Sequence, residues 1–151
     1  MTPADIPQVI AIERASFSNP WSENSFLGEI HHRDALTWVV EIDGTIAGYL
    51  CARKVLDEWH LHDLAVAPDR RRQGIATVLS DNAESEMRRG GGRSLYLEVR
   101  VSNLSARGFY ERRGFRVLGT RKAYYSEPVE DALMMVLDLD RELPRDHCEG
   151  Q

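Results

Sequence analysis

The stretch that most constrains this chain is residues 59–89, WHLHDLAVAPDRRRQGIATVLSDNAESEMRR. Residues 59–66 form a short, mostly apolar run followed closely by Pro68, which cannot donate to a sheet ladder, so a strand ends there. A helix begins near Gly74. Ile75, Val78, Leu79, Ala83 and Met87 fall on one helical face, while Asp81, Glu84, Glu86, Arg88 and Arg89 lie mostly on the other. Gly90, Gly91 and Gly92 break that helix, and the β-forming run SLYLEV follows, completing a strand–helix–strand unit.

Between the first strand and the helix lies Arg71-Arg72-Gln73-Gly74-Ile75-Ala76. Glycine and alanine leave backbone N–H groups uncovered at a helix N-terminus, where orphan donors, the helix dipole and nearby arginines all favour an anion. A phosphate-bearing ligand is expected. Neither G-x-x-x-x-G-K-S/T nor G-x-G-x-x-G after a strand is present, so the two commoner glycine-rich phosphate loops are excluded.

The rest of the chain supplies the sheet and its cover. Asp5-x-x-Gln8 reads as a capping box for a first helix that ends near Phe17, with Ile6, Val9, Ile10 and Glu13 fitting its period. Asn19-Pro20-Trp21 is a turn anchored by one large aromatic, and Ser22 caps a second helix to about Ile30 with Phe26, Leu27 and Ile30 inward. LTWVVEI (36–42), the hairpin signal Asp43-Gly44, TIAGYLCARKVL (45–56) and residues 59–66 read as an antiparallel meander. Asn103 caps a short helix from Leu104 to Arg113 that Gly114 ends. FRVLGTRKAYY and DALMMVLDL are two more strands joined by a loop at Pro128.

The element order ααβββαβαββ argues an α/β or α+β fold, a mixed and mostly antiparallel sheet of about six to seven strands flanked by helices. Residues 1–139 are expected to form a single domain, and residues 140–151 a polar, disordered tail.

Composition narrows the function classes. The formal net charge is −5, so Arg70, Arg71 and Arg72 are a local anion site and not the face of a nucleic-acid binder. Apolar runs are too short to span a membrane and no signal peptide is evident, so a cytoplasmic protein is expected. The two cysteines, Cys51 and Cys148, form no disulfide framework. Nothing fixes the oligomeric state; a monomer is the simpler expectation.

A second cluster follows the first in order: Leu97-Glu98-Val99-Arg100, then Ser102-Asn103, then Tyr110-Glu111-Arg112-Arg113-Gly114-Phe115. The Q/R-x-x-G-x-G/A loop at 71–76 and this strand, Asn-capped helix and Y-x-x-x-G-F together resemble the GNAT superfamily of N-acetyltransferases. Pro20-Trp21-Ser22, Leu97-Glu98-Val99-Arg100 and Tyr124-Tyr125 with Glu130-Asp131-Ala132 resemble, within it, the bacterial RimI-type ribosomal-protein N-terminal-alanine acetyltransferases. The resemblance covers about residues 5–139. It departs at Ala76, where many relatives carry a second glycine, and in the length of the arginine run.

The resemblance implies acetyl-CoA as cosubstrate and no metal. Backbone groups of Leu64, Ala65 and Val66 would bind the pantetheine arm. Arg71, Arg72, Gln73, Gly74, Ile75, Ala76 and Thr77 would bind the phosphates, with Asn103 also touching the cosubstrate. Glu98 would be the general base, Tyr110 the general acid, and the Val66 N–H the oxyanion donor. The chemistry suits these types. An α-amine with pKa near ~7.7–8.0 must lose a proton before it attacks a thioester, and a phenol near ~10 can protonate a departing thiolate near ~8.5. The acceptor would be a protein N-terminus, the alanine of a small-subunit ribosomal protein. A lysine or small-amine acetyltransferase, or a non-catalytic CoA-binding module, is the alternative.

His60 and His62 have a spacing that can hold a metal, but no third ligand recurs nearby, so they are expected to be structural. His31 and His32 end a helix where the dipole favours them. Tyr124 and Tyr125 are either a strand-end aromatic pair or, with Trp21, the lip of a peptide groove.

Overall fold

The computed structural model describes residues 1–140. Among these the elements run α1 (Ile6–Ser16), α2 (Glu23–His31), β1 (Ala35–Ile42), β2 (Thr45–Val55), β3 (Glu58–Val66), α3 (Ile75–Arg89), β4 (Ser94–Arg100), α4 (Leu104–Arg112), β5 (Arg116–Tyr125) and β6 (Glu130–Asp138). Short 3-10 turns at Pro3–Asp5 and Pro68–Arg70 precede α1 and α3. The order is ααβββαβαββ, as the sequence indicates. One sheet carries the strands in the order β1-β2-β3-β4-β6-β5, antiparallel throughout except between β3 and β4.

Each face of the sheet has its own core. On one, Ile75, Leu79, Ala83 and Met87 of α3 pack with Leu95, Leu97, Val99, Met135 and Leu137. On the other, Ile6, Val9 and Ile12 of α1 and Phe26 of α2 pack with Tyr49, Cys51 and Ala65. Val9 and Phe26 are 0% exposed. Full burial of such side chains contributes about 1.5–3 kcal/mol each, far more than helix propensity supplies to helices as short as α1 and α2.

Local details depart from the sequence reading at three places. The capping box before α1 is made by Thr2 and Asp5, and Gln8 instead accepts from the Ile46 N–H at 2.9 Å, tying α1 to β2. Val78 is 51% exposed, because α3 shows the sheet a narrower stripe than its apolar residues suggest. Glu84 is 3% exposed because Arg113 supplies it a buried partner. Cys51 is buried without a disulfide; the expected polar tail beyond Asp140, with Cys148, lies outside the described residues.

The parallel pairing of β3 with β4 extends only through Glu58 with Ser94, Trp59 with Leu95, and His60 with Tyr96. At the last of these the His60 and Tyr96 rings stack, centroids 5.3 Å apart. Beyond them the two strands part. On the other edge of β3 the register to β2 slips, Cys51 facing Asp63 and Ala52 facing Leu61, so His62 has no partner and sits in a bulge.

Candidate active site

A cleft of about 340 Å³ occupies the fork between β3 and β4. Its walls bring together Trp21, Leu64, Glu98, Asn103, Tyr110 and Tyr125, which come from six different elements or loops. Because the sheet is split here, side chains of both layers reach one space.

The β3 backbone on the fork side follows from the ladder. Ala67 donates to Ala47 O at 2.7 Å, so the adjacent Gly48 and Val66 face each other as a non-hydrogen-bonded pair. Val66 therefore turns its N–H and C=O toward the fork, and two residues earlier Leu64 does the same. Ala65 directs its own groups to Tyr49 on β2. Of the three residues expected to offer backbone groups, the ladder frees two.

The loop after β3 does not line the cleft but is tied to it. Arg71 Nε donates to Val66 O at 3.2 Å and its Nη2 to Ser16 Oγ at 3.1 Å. Arg72, Gln73 and Thr77 are exposed, whereas the Ile75 side chain is buried in the core, leaving only its backbone to a ligand. Arg72 and Gly74 have positive φ, 63° and 79°. This winding collects N–H groups before the helix. At Gly74 a Cβ would meet nothing within 4 Å, so the left-handed backbone, and not crowding, calls for glycine. The first turn of α3 has neither a side-chain cap nor an acidic residue. By contrast, Ser22 caps α2 and Asn103 caps α4 through Oδ1 on the Ala106 N–H at 3.2 Å.

Glu98 lies on β4, whose pattern buries Leu95, Leu97 and Val99 and leaves Glu98 partly exposed on the α1 and α2 face. Tyr110 projects from α4 and packs edge-on against Phe109 and Phe115. Burial, then the charges of Asp63 and Tyr125, push its phenol up, so it stays protonated at neutral pH. The tyrosine pair divides. Tyr125 lines the cleft, while Tyr124 is 47% exposed and packs edge-on against it, centroids 4.9 Å apart. Burial, Tyr124 and Glu98 push the Tyr125 phenol up to about 12, with Arg100 opposing.

Four further residues of the cleft wall were given no part in the site by the sequence. Arg100 crosses its rim: Nη1 donates to Pro128 O at 2.9 Å and Glu130 Oε1 at 3.2 Å, Nη2 to Ser126 O at 3.0 Å and Ser18 Oγ at 3.4 Å. Its guanidinium also lies 4.5 Å from the Tyr125 ring centre. With Asn19 Nδ2 donating to Ser126 O at 2.6 Å, it joins the α1–α2 loop to the β5–β6 loop. Glu13 and Asp63 are 1% and 6% exposed. Glu13 accepts from the Tyr49 hydroxyl and from the Trp21 N–H, fixing the aromatic of the α1–α2 loop. Burial and a hydrogen bond with Glu13 push the Asp63 carboxyl far up, so the pair holds a proton. The signal for both was a carboxylate on an apolar face. His62 is the fourth, its Nδ1 2.8 Å from Glu29 Oε1. Among the described residues no group of three metal ligands includes either histidine.

A family model described as acetyltransferase (GNAT) family matches residues 6–115. The Escherichia coli (strain K12) ribosomal protein bS18-alanine N-acetyltransferase is 35% identical over 137 residues, 89% of this chain and 92% of its own. A Bacillus subtilis (strain 168) protein, whose name assigns it the same activity provisionally, is 38% identical over 132 residues, 87% of each chain. The crystal structure of the Escherichia coli ribosomal-protein-S18-alanine N-acetyltransferase superimposes with a TM-score of 0.86 at 32% identity, covering 95% of this chain and 94% of that one.

Proposed function

The chain belongs to the acetyltransferase (GNAT) family, and from that premise we propose that it transfers acetyl directly from acetyl-CoA to the α-amine of a protein N-terminus, the alanine of a small-subunit ribosomal protein. One observation carries the reading. The fork places freed β3 backbone, a carboxylate on β4, a buried phenol and the Trp21 and Tyr125 side chains around one cleft.

The loop before α3 fits a pyrophosphate, because its first-turn donors have no internal acceptor and the Gly74 position is open. Arg71, Arg72, Gln73, Gly74, Ala76 and Thr77, with the backbone of Ile75, would hold the phosphates. Leu64 and Val66 would hold the pantetheine arm through backbone groups. Asn103, whose Oδ1 is committed to its cap, would contribute its amide nitrogen. Bound there, acetyl-CoA supplies a thioester carbonyl and a thiolate leaving group.

In this reading Glu98 accepts a proton from the acceptor nitrogen, directly or through water. The Val66 N–H, turned to the fork, donates to the carbonyl oxygen as negative charge develops on it. Tyr110 keeps its proton at neutral pH and gives it to the departing sulfur. No covalent enzyme intermediate is needed; Cys51 is buried, and burial pushes its thiol up, away from nucleophilic thiolate. Trp21 and Tyr125 border the acceptor, with Tyr124 supporting Tyr125. Residues 1–139 act as one domain, in the cytoplasm.

The test is mass spectrometry of peptides after incubation with acetyl-CoA. Peptides with a free N-terminal alanine should be acetylated much faster than N-blocked peptides carrying an internal lysine. Deprotonating a lysine near ~10.4 instead of an α-amine near ~8 costs roughly 3 kcal/mol more at a given pH. Equal rates for the blocked lysine peptide would reject the N-terminal assignment, and faster reaction of an N-terminal leucine would reject alanine as the preferred first residue.

A further inference from the structure

An ammonium carries three N–H bonds and the amide product keeps one, so two protons must leave the acceptor nitrogen. Glu98 accounts for one of them. We propose that His62, held by Glu29, is the second proton acceptor of the cleft and takes the first proton, the one that turns the α-ammonium into a nucleophile; this rests on the function proposed above.

The bulge in β3 is the first observation. With Cys51 paired to Asp63 and Ala52 to Leu61, His62 is the extra residue. His62 and Asp63, neighbours that a regular strand would send to opposite faces, both meet partners on the α1 and α2 side, Glu29 and Glu13 respectively. The His62 ring thereby lines the same cleft as Glu98.

The second observation is how the ring is held. Its Nδ1 lies 2.8 Å from Glu29 Oε1, an oxygen that Arg53 Nη2 also approaches at 3.2 Å. Glu29 is buried, its side chain 7% exposed, and burial pushes its carboxyl up. The His62 hydrogen bond and the charges of His62 and Arg53 outweigh burial and hold the carboxyl below its usual range. An ionised Glu29 can only accept, so Nδ1 carries a hydrogen and the neutral ring keeps its lone pair on Nε2. Nε2 has no protein partner among the described residues, and the side chain is 33% exposed. Trp21 stands edge-on to the ring at 6.3 Å, on the side where the acceptor would enter.

The proton balance is complete. One N–H electron pair stays on the acceptor nitrogen as its hydrogen passes to Nε2, and the imidazolium is neutralised by Glu29. As the C–N bond forms and the C–S bond breaks, Glu98 takes the second proton and Tyr110 protonates the sulfur. The proton on Glu98 then passes through solvent in the cleft to the Tyr110 phenolate, restoring both groups, and His62 returns its own proton to solvent. The groups facing this site are Glu29 from α2, Arg53 from β2, Glu13 from α1, Asp63 from β3, Glu98 and Arg100 from β4, Tyr110 from α4 and Tyr125 from β5.

The experiment is the pH profile of kcat/KM for an alanine N-terminal peptide, with acetyl-CoA binding measured in parallel. His62→Gln should be slower by roughly 10–100-fold below pH 7, and the gap should close above pH 9, where the amine is already neutral. Glu29→Gln, which removes the charge that favours the imidazolium, should move the acid limb to lower pH. Free imidazole should restore part of the activity of His62→Gly. A loss in His62→Gln that is equal at every pH, or full activity, overturns the proposal while the function above stands. A wild type inert on the peptide overturns both. The unsubstituted protein gives an independent check through the ¹⁵N shifts of His62: a neutral ring protonated at Nδ1 is expected, and one protonated at Nε2 refutes the assignment.

Discussion

Arg113, just past the end of α4, donates through Nε at 3.1 Å and Nη2 at 2.9 Å to the same oxygen of Glu84 on α3. Nη2 also reaches Asp81 Oδ1 at 2.7 Å. The Glu84 and Arg113 side chains are only 4% and 12% exposed. Burial pushes the Glu84 carboxyl up more than Arg113, with Arg88, pulls it down, so Arg113 is the main partner that favours its charge. The pair locks α4, which carries Asn103 and Tyr110 to the cleft, against the helix that follows the anion loop.

Arg113→Met should therefore cost about 3–5 kcal/mol, the usual loss when one partner leaves a buried charge uncompensated. Adding Glu84→Gln should recover part of it, because the stranded carboxylate is then gone. Urea unfolding of the two single variants and the double variant measures the coupling. Strictly additive losses would show that the two helices are not held together by this pair.

The fold was legible because its elements announce themselves by period and punctuation. Pro68, Gly74, Asn103 and Gly114 mark ends that the structure keeps within a residue or so. What was not legible depends on contacts remote in sequence. Glu84 sits 29 residues from Arg113, and no local pattern says that a glutamate on a helix will be buried because an arginine arrives later. His62 reads as half of a strand pair with His60, and only the slip opposite Cys51 separates their surroundings. Tyr124 and Tyr125 look equivalent until the register to β6 is known, since β5 loses its pairing between Arg121 and Tyr125.

Asp63 gives a stability signature in pH. Its carboxyl is raised by burial and by Glu13, so the folded protein holds a proton that an unfolded aspartic acid loses near ~3.9. That contribution is fully present below pH ~4 and is lost as pH rises toward the folded-state value, because the native state then binds more protons than the unfolded one. Asp63→Asn, which cannot titrate, should gain on the wild type by on the order of 1–3 kcal/mol between pH 5 and pH 9. Parallel stability curves from urea melts across that range would show that the pair shares no proton.

Cosubstrate binding is tested at the anion loop. Acetyl-CoA at 100 times its Kd should stabilise the protein by about 2.7 kcal/mol, seen as a rise in Tm. Gly74→Glu should abolish that rise, since it puts a carboxylate where phosphates are proposed to sit and forces a non-glycine residue to φ 79°. Gly74→Asn, which tolerates the left-handed region, separates the two effects and should keep most of the shift. An undiminished shift in Gly74→Glu would place the phosphates elsewhere.

The base and the acid are separable by pH. Glu98→Gln should leave acetyl-CoA binding intact and lower turnover by roughly 10²–10⁴-fold at neutral pH, the usual cost of losing a general base. The loss should persist at higher pH if His62 takes the first proton, because Glu98 then removes the second, which leaves the nitrogen only as the C–N bond forms. If Glu98 alone deprotonates the ammonium, the deficit should shrink as the free amine becomes neutral above its pKa near ~8. Tyr110→Phe should slow transfer without weakening binding, because burial among Phe109 and Phe115 leaves the ring's packing to phenylalanine and removes only the hydroxyl. Its effect should be smaller for an acetyl donor whose leaving thiol is more acidic, since such a thiolate departs without help. Single-turnover rates for the two variants across pH 6.5–9.5, with both donors, decide these points: a Tyr110→Phe deficit independent of the leaving group would remove the phenol from the role of acid.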